Sequence, residues 1–216
     1  MLKRLTDLGL AIAGLVILSP LLILLAVLVK STSSGPVLYG GMRVGLHGRR
    51  FRMWKFRSMV SNADRIGGPS TAGDDARVTP VGRFLRRYKL DELPQLLNVV
   101  AGQMSLVGPR PEVPVYVDMF TPEERAILSV RPGMTDWASL WNVDEGAVLA
   151  GEPDPERAYL EKIRPEKIRL QLEYVRRRSF AVDMQILADT ALAVLGRRRA
   201  PALDTAASAP VARPRG

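Results

Sequence analysis

The sequence predicts a helix-rich α+β fold: an apolar N-terminal helical segment, then a small domain with one β-hairpin and several short amphipathic helices. Three observations predict it. From Leu8 to Val29 the chain carries no charge; at a helical rise of about 1.5 Å that is about 33 Å, enough to cross about 30 Å of hydrocarbon. Between Pro36 and Met59, Val37-Leu38-Tyr39 and Phe51-Arg52-Met53-Trp54 flank Gly45-Leu46-His47-Gly48, two runs of strand formers around a turn. From Val81 onward the pattern is helical, each piece opened by a proline or a capping residue.

The apolar segment is too long for the usual signal-peptide core and has no small-x-small cleavage site before Lys30. At its middle, Ser19-Pro20 interrupts the helix: Pro20 has no amide to offer the carbonyl of Val16, so a kink is expected there. A straight or mildly kinked span is one reading, because a neighbouring serine can re-satisfy the backbone. Lys3 and Arg4 before the segment and Lys30 after it would keep both ends on the cytoplasmic side, which only a re-entrant bend allows.

Ser31 to Gly35 is a small polar linker. His47 falls in the predicted hairpin turn, where a solvated histidine is expected. Gly67 to Asp75 has no periodicity and reads as a surface loop that could close over a ligand. Val81 to Lys89 reads as a short basic helix packing through Phe84, Leu85 and Tyr88. Asp91 suits an N-cap, with Pro94 in the first turn and Leu93, Leu96, Leu97 and Val100 as the apolar stripe of a helix ending near Gly102. Gly108-Pro109-Arg110-Pro111 is a stiff extended turn that fixes the direction of Arg110. Thr121-Pro122-Glu123-Glu124 opens a further helix, and Arg131-Pro132-Gly133 closes it. Charged helix runs from Pro155 to about Arg178. Phe180 to Leu195 is amphipathic and is followed by Arg197-Arg198-Arg199, a layout that suits an anionic membrane surface or packing on the domain. The Ala/Pro-rich stretch after Ala200 has little that could fold.

The 216 residues include 31 Lys or Arg against 22 Asp or Glu, a formal charge of +9 that calls for an anionic partner: nucleic acid, anionic lipid or a phosphorylated substrate. Without cysteine, and with His47 as the single histidine, disulfides, thiolate chemistry and histidine-based zinc or triad sites are excluded. Chemistry must run on carboxylates, hydroxyls, Lys and Arg. The pair Asp91-Glu92 at a helix start, flanked by Arg86 and Arg110, offers a carboxylate nucleophile inside a cationic phosphate pocket. The cations would keep Asp91 ionised, and Glu92 would serve a divalent ion. A second reading is a membrane-tethered protein that binds anionic lipid or nucleic acid without catalysis.

Six motifs then carry a resemblance: Lys55-Phe56-Arg57-Ser58-Met59, Arg77-Val78-Thr79, Val81-Gly82-Arg83-Phe84-Leu85-Arg86, Leu90-Asp91-Glu92-Leu93-Pro94-Gln95-Leu96-Leu97-Asn98-Val99, Met104-Ser105-Leu106-Val107-Gly108-Pro109-Arg110-Pro111 and Arg131-Pro132-Gly133. In this order, from about Leu2 to Leu195, the chain resembles the bacterial sugar transferases, the monotopic polyprenyl-phosphate phosphoglycosyl transferases. The resemblance makes Ser19-Pro20 a helix break and residues 1–30 a re-entrant membrane hairpin. It makes residues 31–199 a catalytic domain with amphipathic interfacial helices and leaves 200–216 as a disordered tail. It implies Asp91 as nucleophile, Glu92 as partner of Mg2+, and Arg86, Arg110, Lys55 and Arg57 as phosphate contacts. A UDP-sugar and a polyprenyl phosphate such as undecaprenyl phosphate would be the substrates and UMP a product, at the cytoplasmic face of the bacterial inner membrane, with membrane lipid but no nucleic acid as partner and a homodimer left open. Three stretches depart from the family pattern: Gly41, Gln103, and Thr135-Asp136-Trp137-Ala138-Ser139 after Arg-Pro-Gly. The last bears on sugar choice, so no particular sugar is carried over.

Overall fold

The computed structural model describes residues 1–142 and 144–194; the expected tail, 200–216, lies outside the described residues. Helix α1 (Leu2–Ile17) and helix α2 (Ser19–Thr32) meet at Leu18 with a 63° bend, and no single helix among the described residues is long and apolar enough to cross a membrane. The bend follows from the chemistry of Pro20, which withdraws the amide that Val16 would accept. Ser19 Oγ donates to the Val16 carbonyl instead, at 2.8 Å, so the break leaves no orphan.

Strands β1 (Leu38–Val44) and β2 (Arg50–Phe56) pair antiparallel, from Leu38 opposite Phe56 to Val44 opposite Arg50. Their turn places His47 in the left-handed region and in solvent. A short helix α3 (Ala63–Ile66) precedes the Gly67–Asp75 loop, and helix α4 (Pro80–Arg87) follows, capped by Thr79 Oγ1 accepting from the Gly82 amide at 2.9 Å. Next come a 3-10 turn (Leu90–Glu92), helix α5 (Gln95–Val100), strand β3 (Ser105–Val107) and helix α6 (Pro114–Asp118). The helix expected after Thr121 is a 3-10 segment (Glu124–Ser129) with a reciprocal capping box: Thr121 Oγ1 accepts from the Glu124 amide, and Glu124 accepts from the Thr121 amide. Strand β4 (Gly133–Thr135) pairs with β3 in parallel. Helices α7 (Trp137–Trp141), α8 (Glu145–Leu149), α9 (Pro155–Ala158), α10 (Arg164–Arg177) and α11 (Phe180–Val194) complete the described chain.

The main core joins the first helix to the domain. Ala11 of α1 packs with Phe51 and Met53 of β2, Leu96 and Val99 of α5, Val107 of β3, Tyr174 of α10 and Ile186 of α11. Polar contacts fasten the same face. Asp7, buried in α1, accepts from Ser105 Oγ at 2.7 Å and from the Leu106 amide at 3.2 Å. Lys3 donates to the Val107 carbonyl and to Asp183, and Arg4 to the carbonyls of Val99 and Val100. Lys3 and Arg4, read from sequence as charges flanking a membrane segment, are thus anchors to the domain. Helix α11 buries Asp183, Ile186 and Asp189 on that domain while Phe180, Leu192 and Val194 stay exposed.

Candidate active site

The site is assembled around the turn between α4 and α5. Gly82 lets α4 lie directly on the segment leaving β2, since a Cβ there would stand 1.9 Å from the Ser58 carbonyl oxygen. That approach lets Arg86, in the last turn of α4, donate from Nε to Ser58 Oγ at 3.0 Å. Lys89 then takes a left-handed conformation, φ 56°, a cost of about 1 kcal/mol or more for a residue with a Cβ. The reversal it makes puts the Leu90–Glu92 turn against α4.

Asp91 is 4% exposed and does not cap a helix. An N-cap carboxylate needs the amides two and three residues on; the second of these is Pro94, which has none, and the Leu93 amide already bonds the Leu90 carbonyl at 3.3 Å. Helix α5 consequently starts only at Gln95, and the positive charge around the acid pair comes from side chains.

That charge converges on Glu92. Lys55, near the end of β2, donates from Nζ to Glu92 Oε1 at 2.9 Å, and Arg110 Nη2 donates to the same oxygen. Arg110 comes from the Gly108–Pro111 turn after β3, and its Nη1 also donates to the Met134 carbonyl at 3.2 Å. On β2's other flank, Asn98 of α5 accepts from the Trp54 amide at 2.9 Å and donates to the Arg52 carbonyl at 2.7 Å, which fixes the strand that carries Lys55.

The two neighbouring carboxylates are tuned in opposite directions. Burial would raise Glu92, but Arg110 and Lys55 overcome it and hold the group well below the usual carboxylate range. For Asp91 burial wins: its pKa is raised, with Glu92 adding to the rise and Lys55, Arg86 and Lys89 opposing it. Burial pushes the Lys55 ammonium down against the pull of Glu92. At Asp91 the cations therefore offset its desolvation only in part, with Lys55 the largest opposing charge and Glu92 adding to the rise.

Lys55, Arg86, Asp91, Glu92 and Arg110 thus come together as the sequence suggested. Arg57 does not join them. Its guanidinium turns the other way, donating to Ser33 O at 2.8 Å, Ser33 Oγ at 2.7 Å and the Pro36 carbonyl, at the end of α2. The assignment of Arg57 as a phosphate contact is corrected accordingly: it is a tie between the domain and α2. Ser19 and Pro20 are exposed at the α1–α2 break. Sequence reasoning passed over Ser58, which holds Arg86, and Asp75, which pairs with Arg77 at 2.7 Å and adds to the field at Arg86.

Among the described residues no group of three or more Asp, Glu, His or Cys is placed to hold a metal. The donors at hand are Asp91 and Glu92, with both bonds to Glu92 falling on Oε1. Two carboxylates are a poor cage but a suitable partial set for a hard divalent ion that takes its other ligands from water and substrate phosphates.

Comparison with known proteins supplies the family. The chain is 39% identical over 193 residues to a UDP-glucose:undecaprenyl-phosphate glucose-1-phosphate transferase of Escherichia coli (strain K12), covering 87% of this chain and 39% of that one. It is 43% identical over 142 residues to a UDP-N-acetylgalactosamine-undecaprenyl-phosphate N-acetylgalactosaminephosphotransferase of Aeromonas hydrophila, covering 64% and 34%. The chain therefore spans between about a third and two-fifths of the length of these two relatives. An uncharacterized sugar transferase of Bacillus subtilis (strain 168), EpsL, is 36% identical over 194 residues, covering 90% of this chain and 87% of its own. The sequence profile of the bacterial sugar transferases matches residues 1–197, and the chain belongs to that family.

Proposed function

We propose that this chain transfers a sugar 1-phosphate from a UDP-sugar to undecaprenyl phosphate, with Asp91 as the nucleophile. The observation that carries the proposal is the buried Asp91 carboxylate beside a Glu92 already engaged by Lys55 and Arg110, with the positive charge of Arg86 also felt at Asp91. The names of the relatives, which are transferases of glucose and N-acetylgalactosamine phosphates to undecaprenyl phosphate, agree with it.

An Asp91 carboxylate oxygen attacks the sugar-bearing phosphorus of the UDP-sugar. A P–O bond forms to the enzyme, and the bond to the bridging oxygen breaks, so UMP leaves with that oxygen and the electron pair. A phosphate oxygen of the lipid then attacks the same phosphorus, the aspartyl P–O bond breaks, and the polyprenyl diphosphate sugar is released with Asp91 regenerated. Lys55, Arg86 and Arg110 neutralise phosphoryl charge that would otherwise repel the carboxylate. In the free site Glu92 occupies Lys55 and Arg110; on substrate entry their N–H groups turn to phosphoryl oxygens. Mg2+ held by Glu92 and the diphosphate would supply stabilisation of the leaving phosphate.

The membrane half of the proposal is a re-entrant hairpin at the cytoplasmic face of the bacterial inner membrane. Both of its ends are fastened to one domain: the start of α1 through Lys3, Arg4 and Asp7, the end of α2 through Arg57. Between them Val16, Ile17, Ile23, Leu24 and Val27 expose apolar surface, and Phe84 on α4, which packs beside α2, and Tyr88 just after α4 do the same. Labelling of a tag at Met1 is expected only from the face that also labels the domain; labelling from the opposite face alone rejects the hairpin.

The catalytic half is tested by UMP release across a panel of UDP-sugars in the presence of undecaprenyl phosphate. With sugar-labelled donor and no lipid, the wild-type chain is expected to retain label covalently, and Asp91→Asn to retain none and release no UMP. Turnover preserved in Asp91→Asn would overturn the mechanism.

A further inference from the structure

Arg110 is gripped at three points. Its Nη1 donates to the Met134 carbonyl at 3.2 Å, its backbone amide donates to Asp136 Oδ2 at 3.2 Å, and its backbone carbonyl accepts from Gln171 Nε2 at 3.3 Å. Asp136 and Gln171 are each 0% exposed, and Gln171 Nε2 also reaches Asp136 Oδ2 at 3.4 Å. The other oxygen of Asp136 caps α7, accepting from the Ser139 amide at 2.7 Å and Ser139 Oγ at 2.6 Å.

Capping a five-residue helix does not require a fully buried carboxylate; a neutral serine or asparagine caps as well, and burying an ionised group without a cation bonded to it is costly. What the charge and the second oxygen add is a hold on Arg110. Resting on the transferase reading, we infer that Asp136, with Gln171, is a positioning residue for Arg110: it sets the backbone from which the guanidinium reaches Glu92 and the incoming phosphates.

Asp136→Asn discriminates sharply. If Oδ1 stays on the two Ser139 donors, the new amide nitrogen faces the Arg110 amide and Gln171 Nε2, donor against donor, and Arg110 must shift. Displacement of a phosphate-orienting group by about 1 Å costs up to about a hundredfold. UMP release is measured for Asp136→Asn, Gln171→Met, Arg110→Ala and the two double variants that include Arg110→Ala, with melting temperatures recorded in parallel. The expected result is a tenfold to hundredfold loss of kcat in Asp136→Asn, a smaller loss in Gln171→Met, an unchanged KM for the lipid phosphate, and no further loss when either is added to Arg110→Ala. Multiplying losses, or wild-type kcat in the single variants, overturns the inference. If Asp136→Asn fails to fold, Gln171→Met decides, because Gln171 has no part in the α7 cap. Wild-type turnover in Arg110→Ala would instead reject the reading of the site itself, so the two failures are distinguishable.

Discussion

Arg57 and Lys55 are two residues apart and equally basic, yet the structure gives them different work, and replacing Arg57 by Met separates the two roles. The Arg57 side chain, 6% exposed, makes two short bonds to Ser33, at 2.8 and 2.7 Å, one to the Pro36 carbonyl and a long one to Val29 O at 3.4 Å. A hydrogen bond from a charged donor contributes about 1.5–3 kcal/mol, so the two Ser33 bonds alone come to about 3–6 kcal/mol. Ser33 is only half-buried and Pro36 is exposed, so water recovers part of this, and a loss of about 2–4 kcal/mol is expected. For a domain of this size that lowers Tm by about 5–15 °C. Gly35 should report the same contact from the other side: at φ +115° a Cβ there would stand 2.7 Å from Arg57 Nη1, so Gly35→Ala should lower Tm without changing any charge. Thermal melting in detergent or nanodiscs, with UMP release measured well below the lower Tm, gives both readouts. Arg57→Met is expected to keep kcat/KM within about threefold of wild type. A hundredfold fall in kcat/KM at unchanged Tm would refute this placement and return Arg57 to the phosphates.

Asp91→Asn should melt higher than wild type while releasing no UMP. The folded-state pKa of Asp91 is raised, so the penalty for its burial is absent below the unfolded carboxylate pKa and grows as pH rises through the folded one; the Tm gain of the variant should be present at pH 7.5 and vanish in acid. By the same shift, the first-step rate of the wild-type chain should rise with pH as Asp91 ionises, a limb read from pre-steady-state UMP release. Glu92 has the opposite sign: its lowered pKa gives stability present above the unfolded value and lost on acidification. Glu92→Gln strands Lys55 and Arg110 near each other, and denaturant melts should show a cost of about 3 kcal/mol. Gly82→Ala forces a Cβ to 1.9 Å from the Ser58 carbonyl; lifting α4 should cost about 1–3 kcal/mol and, by detaching Arg86 from Ser58, lower kcat at least tenfold.

The parts legible in the sequence are those whose cause is local. The glycine-rich turn between strand formers gave the hairpin, and Pro20 gave the kink; Ser19 does rescue the Val16 carbonyl, but at a 63° bend and not in the straight or mildly kinked span that such a rescue also permits. Lys55, Arg86, Asp91, Glu92 and Arg110 were readable as a set because their motifs recur in order. Arg57 was carried over by resemblance from the motif it shares with Lys55, but Phe56, Arg57 and Ser58 are buried in succession, so strand alternation has ended and the two basic side chains part company. The capping role of Asp91 could have been rejected from sequence: Pro94 occupies the position whose amide the cap needs. The β3–β4 pair was not legible, since each strand has three residues and their pairing joins segments far apart in the chain. Nor was the grip of Asp136 and Gln171 on Arg110, which depends on the same long-range closure.

If α1 and α2 form the proposed membrane hairpin, its packing would set the height of the chemistry. Leu25 and Val29 of α2 share one cluster with Phe56 of β2 and Leu85 of α4, and Leu90 and Leu93 pack against the same cluster. Leu90 and Leu93 bracket Asp91 and Glu92 in sequence, and Phe56 follows Lys55, so three charged members of the site are rooted in side chains that rest on α2. A lipid phosphate is confined to the plane of the headgroups, whereas a UDP-sugar arrives from solution. An acceptor that cannot leave its plane requires a nucleophile held at a fixed depth relative to it. Packed interiors transmit displacement instead of absorbing it, so a rigid apolar contact between α2 and the Asp91 turn meets that requirement, and a flexible linker would not. On the transferase reading, the Arg57 tie and the Leu25–Val29–Leu85 contact then belong to lipid recognition, although neither touches a phosphate.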